Sequence, residues 1–307
     1  MITTVCMNPC FDKTAEADKV NVGDVTRLKN VRVDVGGKGV NVAIVLRRLN
    51  EAARCVGCLG EENADRFLRM IAKEDVTFDY LSVPGEVRTN LKMLDNTKNV
   101  VSEFNEPGIT LDENQIQKFF QLLSDKSVDS QYVVLSGRLP MGCPENTYQR
   151  CIEALEGKKC VLDAAGESLL HGIKARPYLI KPNLPEMQAL MRKELRTLRE
   201  IRDAALFLIS YGAQNVVVSM GKVGAVFVNE KKTLFAPSLR VEAKSTVGAG
   251  DAMVGGILAG LMRGANLTEA FRFGVAAGAA SVMTDGTQLV RKADFDVLLP
   301  KVTVQEV

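Results

Sequence analysis

Residues 245–251 combine glycines with a carboxylate in a pattern suited to phosphoryl chemistry. Gly248 and Gly250 have no Cβ, so a phosphate can approach the main chain closely. A mainly apolar segment follows to about Met262, which predicts a loop that leads into a buried helix with an anion-binding N-terminus. Asp251 would repel a phosphate there unless it accepts the proton of a hydroxyl that attacks the phosphoryl group. The alternative interpretation is that Asp251 only caps the helix.

A second glycine-rich segment lies at residues 36–41 and precedes apolar residues at helical spacing over 42–49. Lys38 would supply a point charge for a phosphate, and Asn41 could hold a hydroxyl. The segment is not a phosphate-binding loop of the GxxxxGK[ST] type, because that pattern occurs nowhere in the chain. A purely structural turn before a helix is the alternative.

Alternation of polar and apolar residues marks a third region of interest. It occurs within residues 20–35, and again over 87–95 and 100–105 around a turn at 96–99, which predicts a half-exposed antiparallel sheet containing a hairpin. One face of the hairpin would carry three hydrogen-bond donors at period two: Arg88, Asn90 and Lys92. These side chains either bind a ligand or form a solvated face.

The elements that must position these residues become regular after residue 111, where strands rich in Val, Ile and Leu alternate with helices. This order predicts a parallel, doubly wound α/β sheet covered on both faces. Polar turns end the strands and should collect on one ligand-binding edge. They include Ser136-Gly137-Arg138, Asp163, Lys181-Pro182-Asn183 and Ser219-Met220-Gly221, and Asp12 follows the first strand at residues 2–7.

Composition excludes several classes of function. The net charge of +2 over 307 residues gives no support for a nucleic-acid partner or an anionic membrane. No signal peptide or membrane-spanning stretch is evident, so a cytoplasmic protein is expected. The single histidine, His171, argues against nucleophilic triads, and the CxxC pair at residues 55–58 lacks a second metal-binding pair. The seven cysteines are expected to be reduced core residues.

Residues 36–43 and 245–251, taken in this order, resemble the motifs of the ribokinase-like PfkB carbohydrate kinases. Further matches are Asn8-Pro9 with Asp12, Thr89-Asn90-Leu91-Lys92, Ser136-Gly137-x-Leu139-Pro140, Lys181-Pro182-Asn183-x-x-Glu186 and Ser219-x-Gly221-x-x-Gly224. The resemblance implies one α/β domain over residues 1–307, with a mostly parallel sheet, helices on both faces and a small β-sheet lid. The lid would comprise about residues 12–35 and 87–105.

The resemblance also implies roles at the acceptor side. Asp251 would be the catalytic base, and the amides of Gly248, Ala249 and Gly250 would stabilise the transferring phosphoryl group. The sugar hydroxyls would be held by Asp12, Gly37 and Asn41, and a phosphate on the sugar would be neutralised by Lys38, Arg88, Asn90 and Lys92. Arg138 replaces a serine of the family pattern, and it either adds a phosphate contact or reaches solvent.

ATP and Mg²⁺ are the cofactors that the resemblance implies. Asn183 and Glu186 would orient Mg²⁺ and its waters. The nucleotide would contact Lys181, Ser219, Gly221, Gly224, Thr246, Gly248, Gly278 and Ser281. The small residues near Gly278 either face adenine or pack against a neighbouring helix.

The expected partners are therefore a small sugar phosphate and ATP, without nucleic acid or membrane, in a homodimer formed through the lid. Fructose 1-phosphate is the expected acceptor, and tagatose 6-phosphate is the alternative. A catalytically silent sugar-phosphate sensor is a second possibility. A dinucleotide-dependent oxidoreductase is disfavoured because no GxGxxG follows the first strand.

Overall fold

The structure, a computed structural model, describes residues 1–307 and contains two β-sheets with helices packed around the larger one. The strands are β1 (Ile2–Cys6), β2 (Cys10–Ala17), β3 (Lys29–Gly36), β4 (Ala53–Gly60), β5 (Thr77–Val83), β6 (Arg88–Asp95), β7 (Val100–Asn105), β8 (Tyr132–Ser136), β9 (Lys159–Asp163), β10 (Leu179–Ile180), β11 (Val216–Ser219), β12 (Gly224–Val228), β13 (Thr233–Pro237) and β14 (Gln305–Glu306). The α-helices are α1 (Lys38–Arg48), α2 (Ala64–Ile71), α3 (Glu113–Lys126), α4 (Thr147–Ala154), α5 (Gly166–Lys174), α6 (Leu184–Met191), α7 (Leu198–Ser210), α8 (Ala249–Met262), α9 (Leu267–Val282) and α10 (Lys292–Leu298).

The larger sheet has ten strands in the order β14-β13-β12-β11-β10-β9-β8-β1-β4-β5. The seven strands from β11 to β5 pair in parallel, and β12 to β14 add an antiparallel edge. Alternate residues of a strand point to opposite faces, so Val133 and Leu135 of β8 join one buried cluster while Tyr132 and Val134 join the other. Helices α1, α8, α9 and α10 cover one face, and α3, α4, α5 and α7 cover the opposite face. The predicted doubly wound fold is confirmed.

Strand β1 lies between β4 and β8. Helix α1, on the connection from β1 to β4, packs on one face of the sheet, whereas α4, which follows β8, packs on the opposite face. Open parallel sheets bind ligands in the crevice that this divergence leaves at the carboxyl ends of the strands. Ser136 and Asp163 are paired in register at the ends of β8 and β9, and Lys181 directly follows β10. The predicted polar edge therefore forms at the switch point of the sheet.

The smaller sheet, called the lid below, has the order β3-β2-β6-β7. The hairpin β6–β7 is antiparallel as predicted, and β2 pairs with β6 in parallel. Two expectations were wrong in detail. Asp12 lies within β2 of the lid, inside the lid bounds that the resemblance implies, and not at the edge of the main sheet that its position after the first strand predicts, because the chain turns away at Asn8-Pro9. The strand expected within residues 20–35 begins only at Lys29, since residues 20–28 find no strand partner.

Helices α8 and α9 pack closely because small residues line their contact. A Cβ at Gly256 would lie 2.5 Å from the carbonyl oxygen of Phe273, and one at Gly274 would lie 2.5 Å from Cγ1 of Ile257. Such contacts leave no room for larger side chains. No helix of this fold is long and apolar enough to cross a membrane.

The seven cysteines form no disulfide, and all except the half-buried Cys143 are buried. Cys55 and Cys58 lie within β4, where burial raises the pKa of both thiols well above the ordinary value. A thiol held protonated is a poor nucleophile and a poor metal ligand. The expectation of reduced core cysteines is confirmed except at Cys143.

Candidate active site

The segment 245–251 forms the predicted loop and helix start, which we call the anion loop. Helix α8 begins after Gly248, whose φ of +77° is a left-handed conformation that favours glycine. No side chain caps this helix, so the interpretation of Asp251 as a cap is wrong. The N–H groups of Gly248, Gly250 and Asp251 have no acceptor within the chain and are left for another acceptor.

Asp251 is buried in the first turn of α8, with 6% of its surface exposed. Its Oδ2 accepts a hydrogen bond of 2.7 Å from Nδ2 of Asn41, which belongs to the first turn of α1. The two glycine-rich segments thus meet at this carboxylate, although 210 residues separate them. Burial raises the pKa of Asp251 to about 6; Lys38 opposes this increase and the nearby Asp163 adds to it. A carboxylate whose pKa is raised in this way is a stronger base and suits general-base catalysis.

Asp163 lies between two lysines at the end of β9. Lys38 Nζ donates a hydrogen bond of 3.0 Å to Oδ1, and Lys181 Nζ lies 3.4 Å from Oδ2. Burial alone would raise the pKa of Asp163, but Lys181 and Lys38 hold it below its ordinary value. Burial would lower the pKa of Lys38, but the carboxylates of Asp163 and Asp251 raise it above the ordinary value. The cluster therefore holds Lys38 as a cation at the sheet edge, next to Lys181.

No functional role was predicted for Asp163. The only signal in the sequence was its position after a buried strand, among the polar turns expected at the ligand edge. Its pairing with Lys38 and Lys181 joins residues 125 and 18 positions away in the chain.

The predicted acceptor residues of the lid lie together because β2 and β6 are adjacent. Asp12 and Asn90 are register partners, and Asn90 Nδ2 lies 3.4 Å from Oδ1 of Asp12. Lys92 Nζ lies 3.1 Å from the same oxygen, and Arg88 Nη1 donates to Oδ1 of Asn90 at 3.3 Å. Asn90 and Lys92 are less than 10% exposed, so the interpretation of these side chains as a solvated face is wrong for both.

Glycines at the start of α1 allow the lid and the main sheet to approach each other. A Cβ at Gly36 would lie 2.2 Å from Oδ2 of Asp12, and one at Gly37 would lie 2.6 Å from Sγ of Cys6. Gly37 also has a φ of +108°. The backbone at this turn therefore brings Asp12 close to the first turn of α1, which carries Lys38.

Arg138 is exposed in the turn after β8 and makes no hydrogen bond or ion pair within the chain. The preceding Gly137 has a φ of +98°, and its carbonyl oxygen accepts a hydrogen bond of 3.0 Å from the Tyr148 hydroxyl. The turn is thus fixed while the guanidinium stays free. The predicted phosphate contact and a solvent-facing position are both compatible with this geometry.

Asn183 and Glu186 form a capping box at the start of α6. Asn183 Oδ1 accepts from the Glu186 backbone N–H and Glu186 Oε2 from the Asn183 N–H, each at 2.8 Å. Glu186 Oε1 has no partner within the chain. No group of three or more His, Cys, Asp or Glu side chains is arranged to hold a metal ion alone. The donor set fits Mg²⁺ that takes one carboxylate oxygen and completes its shell with phosphate oxygens and water.

Three predicted nucleotide contacts lie around the end of β11. The Ser219 N–H donates to the Pro182 carbonyl oxygen at 3.2 Å, which ties this strand end to the turn that carries Asn183. Gly221 and Gly224 have φ values of +56° and +127°, so the turn that follows requires glycines. These residues share the sheet edge with Lys181.

The other predicted nucleotide contacts lie near α8 and α9. The Thr246 carbonyl oxygen accepts from the Ala249 N–H at 3.4 Å within the anion loop. A Cβ at Gly278 would lie 3.3 Å from the Ala249 carbonyl oxygen, so Gly278 packs against α8. Ser281 is buried, and its Oγ has no hydrogen-bond partner. A buried hydroxyl without a partner is compatible with a ligand contact.

A buried carboxylate whose pKa is raised, beside helix N–H groups that have no acceptor, suits the transfer of a phosphoryl group to a hydroxyl. The fold and this site define a doubly wound α/β phosphotransferase. The chain matches the family described as pfkB family carbohydrate kinase over residues 6–293, and it belongs to that family. It is therefore a phosphotransferase that acts on an alcohol group of a carbohydrate.

Several relatives align with most of the chain. It is 36% identical to the 1-phosphofructokinase of Xanthomonas campestris over 87% of this chain and 86% of the relative. It is 32% identical to the 1-phosphofructokinase of Vibrio cholerae over 99% of this chain and 96% of that relative. Among solved structures, phosphofructokinase-2 from Escherichia coli is 28% identical to this chain, with 98% of both chains covered. Its structure in complex with fructose-6-phosphate superposes with a TM-score of 0.90, and its tetrameric inhibited form superposes with a TM-score of 0.89.

Proposed function

We propose that this protein is a 1-phosphofructokinase, which transfers the γ-phosphoryl group of ATP to the 6-hydroxyl of fructose 1-phosphate. The observation that carries the proposal is the buried Asp251 carboxylate, held at 2.7 Å by Asn41 where two glycine-rich helix starts meet. The similarity to curated 1-phosphofructokinases over most of the chain supports this acceptor. Tagatose-6-phosphate kinase is the alternative within the family.

In the proposed reaction, Asp251 accepts the proton of the acceptor hydroxyl as its oxygen forms a bond to the γ-phosphorus. The bond from that phosphorus to the oxygen it shares with the β-phosphate breaks, and ADP leaves with the electron pair. The amides of Gly248, Ala249 and Gly250 stabilise the negative charge on the transferring group. Mg²⁺ held at Glu186 would neutralise charge on the triphosphate.

The lysine pair supplies positive charge at the point of transfer. Lys181 Nζ lies only 3.0 Å from the place of a Cβ on Gly250, so this ammonium group packs against the anion loop. Lys38 contacts the other carboxylate oxygen of Asp163, Oδ1, from the side of α1. We place Lys38 within reach of both the transferring phosphoryl group and the acceptor.

Arg88→Ala is expected to raise the KM for the phosphorylated acceptor by roughly ten- to a hundredfold, with a smaller effect on kcat, because a charge-assisted hydrogen bond to phosphate is lost. Steady-state kinetics with varied acceptor measures this change. Arg69→Ala, an exposed arginine on α2, is the matched control and should leave the KM unchanged. An unaltered KM in Arg88→Ala would show that this strand does not bind the phosphate.

The pKa of about 6 for Asp251 predicts an acid limb in the pH profile of kcat. The base works only when ionised, so kcat should be constant above that pKa and fall by about tenfold per pH unit below it. Measurements at saturating ATP and acceptor report the groups of the bound complex. Substrate phosphates also titrate near pH 6. An identical acid limb in the residual activity of Asp251→Asn would therefore assign the limb to a group other than Asp251.

The test of the proposed function is an ATP-consumption assay with fructose 1-phosphate, fructose 6-phosphate, tagatose 6-phosphate and the unphosphorylated sugars. The highest kcat/KM is expected with fructose 1-phosphate. The highest kcat/KM with tagatose 6-phosphate would support the alternative kinase. Binding without turnover of any acceptor would support a sugar-phosphate sensor on the same fold.

We also propose that the protein is a homodimer through the lid, in the cytoplasm. The lid exposes about half of the surface of four apolar side chains, Val31, Val100, Val101 and Phe104. Exposed apolar patches of this kind commonly mark subunit interfaces. The tetrameric form of the E. coli relative is compatible with an oligomer in this family. Sedimentation of the wild type and Phe104→Lys would test the dimer, which the variant should weaken.

A further inference from the structure

Residues 284–290, between α9 and α10, contact the lid; we call them the bridge segment. Arg32 Nη2 of β3 donates to the Asp285 carbonyl oxygen at 2.9 Å. The Thr287 hydroxyl donates to Oδ2 of Asp34 at 2.5 Å, and Arg32 Nε donates to the same oxygen at 2.8 Å. Thr287 is buried, so water competes little for this hydrogen bond.

The same bridge segment also contacts the anion loop. Leu289 is buried, and its Cδ2 lies 2.5 Å from the place of a Cβ on Gly248, so the methyl group packs directly on that glycine. The Asp285 carboxylate lies 3.4 Å from Lys244 Nζ, just before the anion loop. Just before the bridge segment, the last residue of α9 also contacts this region, because the Val282 carbonyl oxygen accepts from the Lys244 N–H at 2.8 Å. One short segment therefore touches the lid on one side and the anion loop on the other.

The bridge segment contacts the lid at Asp34, which lies opposite Asp12, one of the residues predicted to bind the acceptor. Asp34 and Asp12 are register partners in β3 and β2, and the side chains of such partners project from the same face of an antiparallel pair. A shift of the lid at Asp12 must therefore also shift Asp34 and its hydrogen bond to Thr287. The bridge segment thereby links the strand that should hold the sugar to the loop that should hold the phosphoryl group.

We propose that Thr287 and Arg32 are positioning residues that couple the closed lid to the shape of the anion loop, an inference that rests on the proposed kinase function. While their hydrogen bonds between the lid and the bridge segment are made, Leu289 is held against Gly248 and the amides of the anion loop keep their arrangement. When the lid moves away, the bridge segment loses these bonds and the anion loop loosens. Phosphoryl transfer is thereby favoured when the acceptor site is closed.

Thr287→Val and Thr287→Ser test the coupling as a matched pair. Valine has nearly the same shape but no hydroxyl donor, and we expect kcat to fall about tenfold, in keeping with one hydrogen bond to a charged acceptor. The KM values should change by less than about twofold, because no atom of Thr287 is placed in either substrate site. Serine keeps the donor and should restore kcat. Thr97→Val, which removes a lid hydroxyl bonded to the Asp18 carbonyl at 2.6 Å, should leave kcat unchanged.

Hydrogen exchange of the backbone amides at 246–250 gives a readout that does not depend on turnover. The amides should exchange faster in Thr287→Val than in the wild type, in Thr287→Ser or in Thr97→Val. Wild-type kcat and exchange in Thr287→Val would overturn the proposal. If the valine variant does not fold, Arg32→Gln, at a half-buried position, tests the same coupling by the same two measurements. A wild type that turns over no sugar phosphate would refute the kinase proposal, while the exchange comparison still decides the coupling.

Discussion

Asp251→Asn is expected to lower kcat by at least about a hundredfold while ATP still binds, since asparagine cannot accept the hydroxyl proton. The substitution keeps the size of the side chain and an oxygen that can accept the hydrogen bond from Asn41. The fold and the anion loop should therefore persist. Steady-state turnover, together with a direct titration of ATP binding, separates loss of chemistry from loss of affinity.

Asp203→Asn is the matched control, because Asp203 lies exposed on α7 with only surface arginines as partners. It should leave kcat and ATP affinity unchanged. Near-normal turnover in Asp251→Asn would remove the assignment of this residue as the base. Loss of ATP binding in that variant would instead point to a disturbed anion loop.

Asp163→Asn is expected to lower the free energy of unfolding by about 3–5 kcal/mol, because it removes the only carboxylate in ion-pair contact with Lys38 and Lys181. Asp163 is fully buried between Lys38 and Lys181, whose side chains are 36% and 4% exposed. The loss should therefore come mainly from the deeply buried Lys181. Denaturant unfolding at pH 7 measures this change.

Two further variants make the Asp163 result interpretable. Asp296→Asn breaks an exposed ion pair with Lys292 and should cost less than about 1 kcal/mol. Lys181→Met combined with Asp163→Asn removes one unpaired ammonium group and should recover part of the lost stability. A loss in Asp163→Asn no larger than in Asp296→Asn would show that the buried cluster does not depend on its carboxylate.

The pH profile of Asp163→Asn gives an independent check on the site. The charge of Asp163 raises the pKa of Asp251, whereas Lys38 and Lys181 lower it. Without the Asp163 charge, burial still raises the pKa of Asp251, but the effect of the two lysines is no longer offset by Asp163, so the pKa should fall below its value of about 6. The acid limb of kcat should then move to lower pH.

The local sequence determined the loops, the fold class and the family of this protein. Glycines followed by apolar helical spacing specified both helix starts, because backbone freedom and side-chain periodicity act over a few residues. Alternating Val-rich strands and helices specified the parallel sheet. The polar alternation specified the hairpin β6–β7, although it did not show where β3 begins.

Only the tertiary structure decided which side chains meet. Asp12 belongs to the lid because β2 pairs in parallel with β6, about 78 residues further along the chain. The Asn41–Asp251 contact and the burial of Asp163 between two lysines depend on the order of strands around β1. Local spacing cannot specify such contacts, because they join residues far apart in the chain and arise when strands and helices pack. The pKa values follow the same rule, since burial and neighbouring charges exist only in the folded chain.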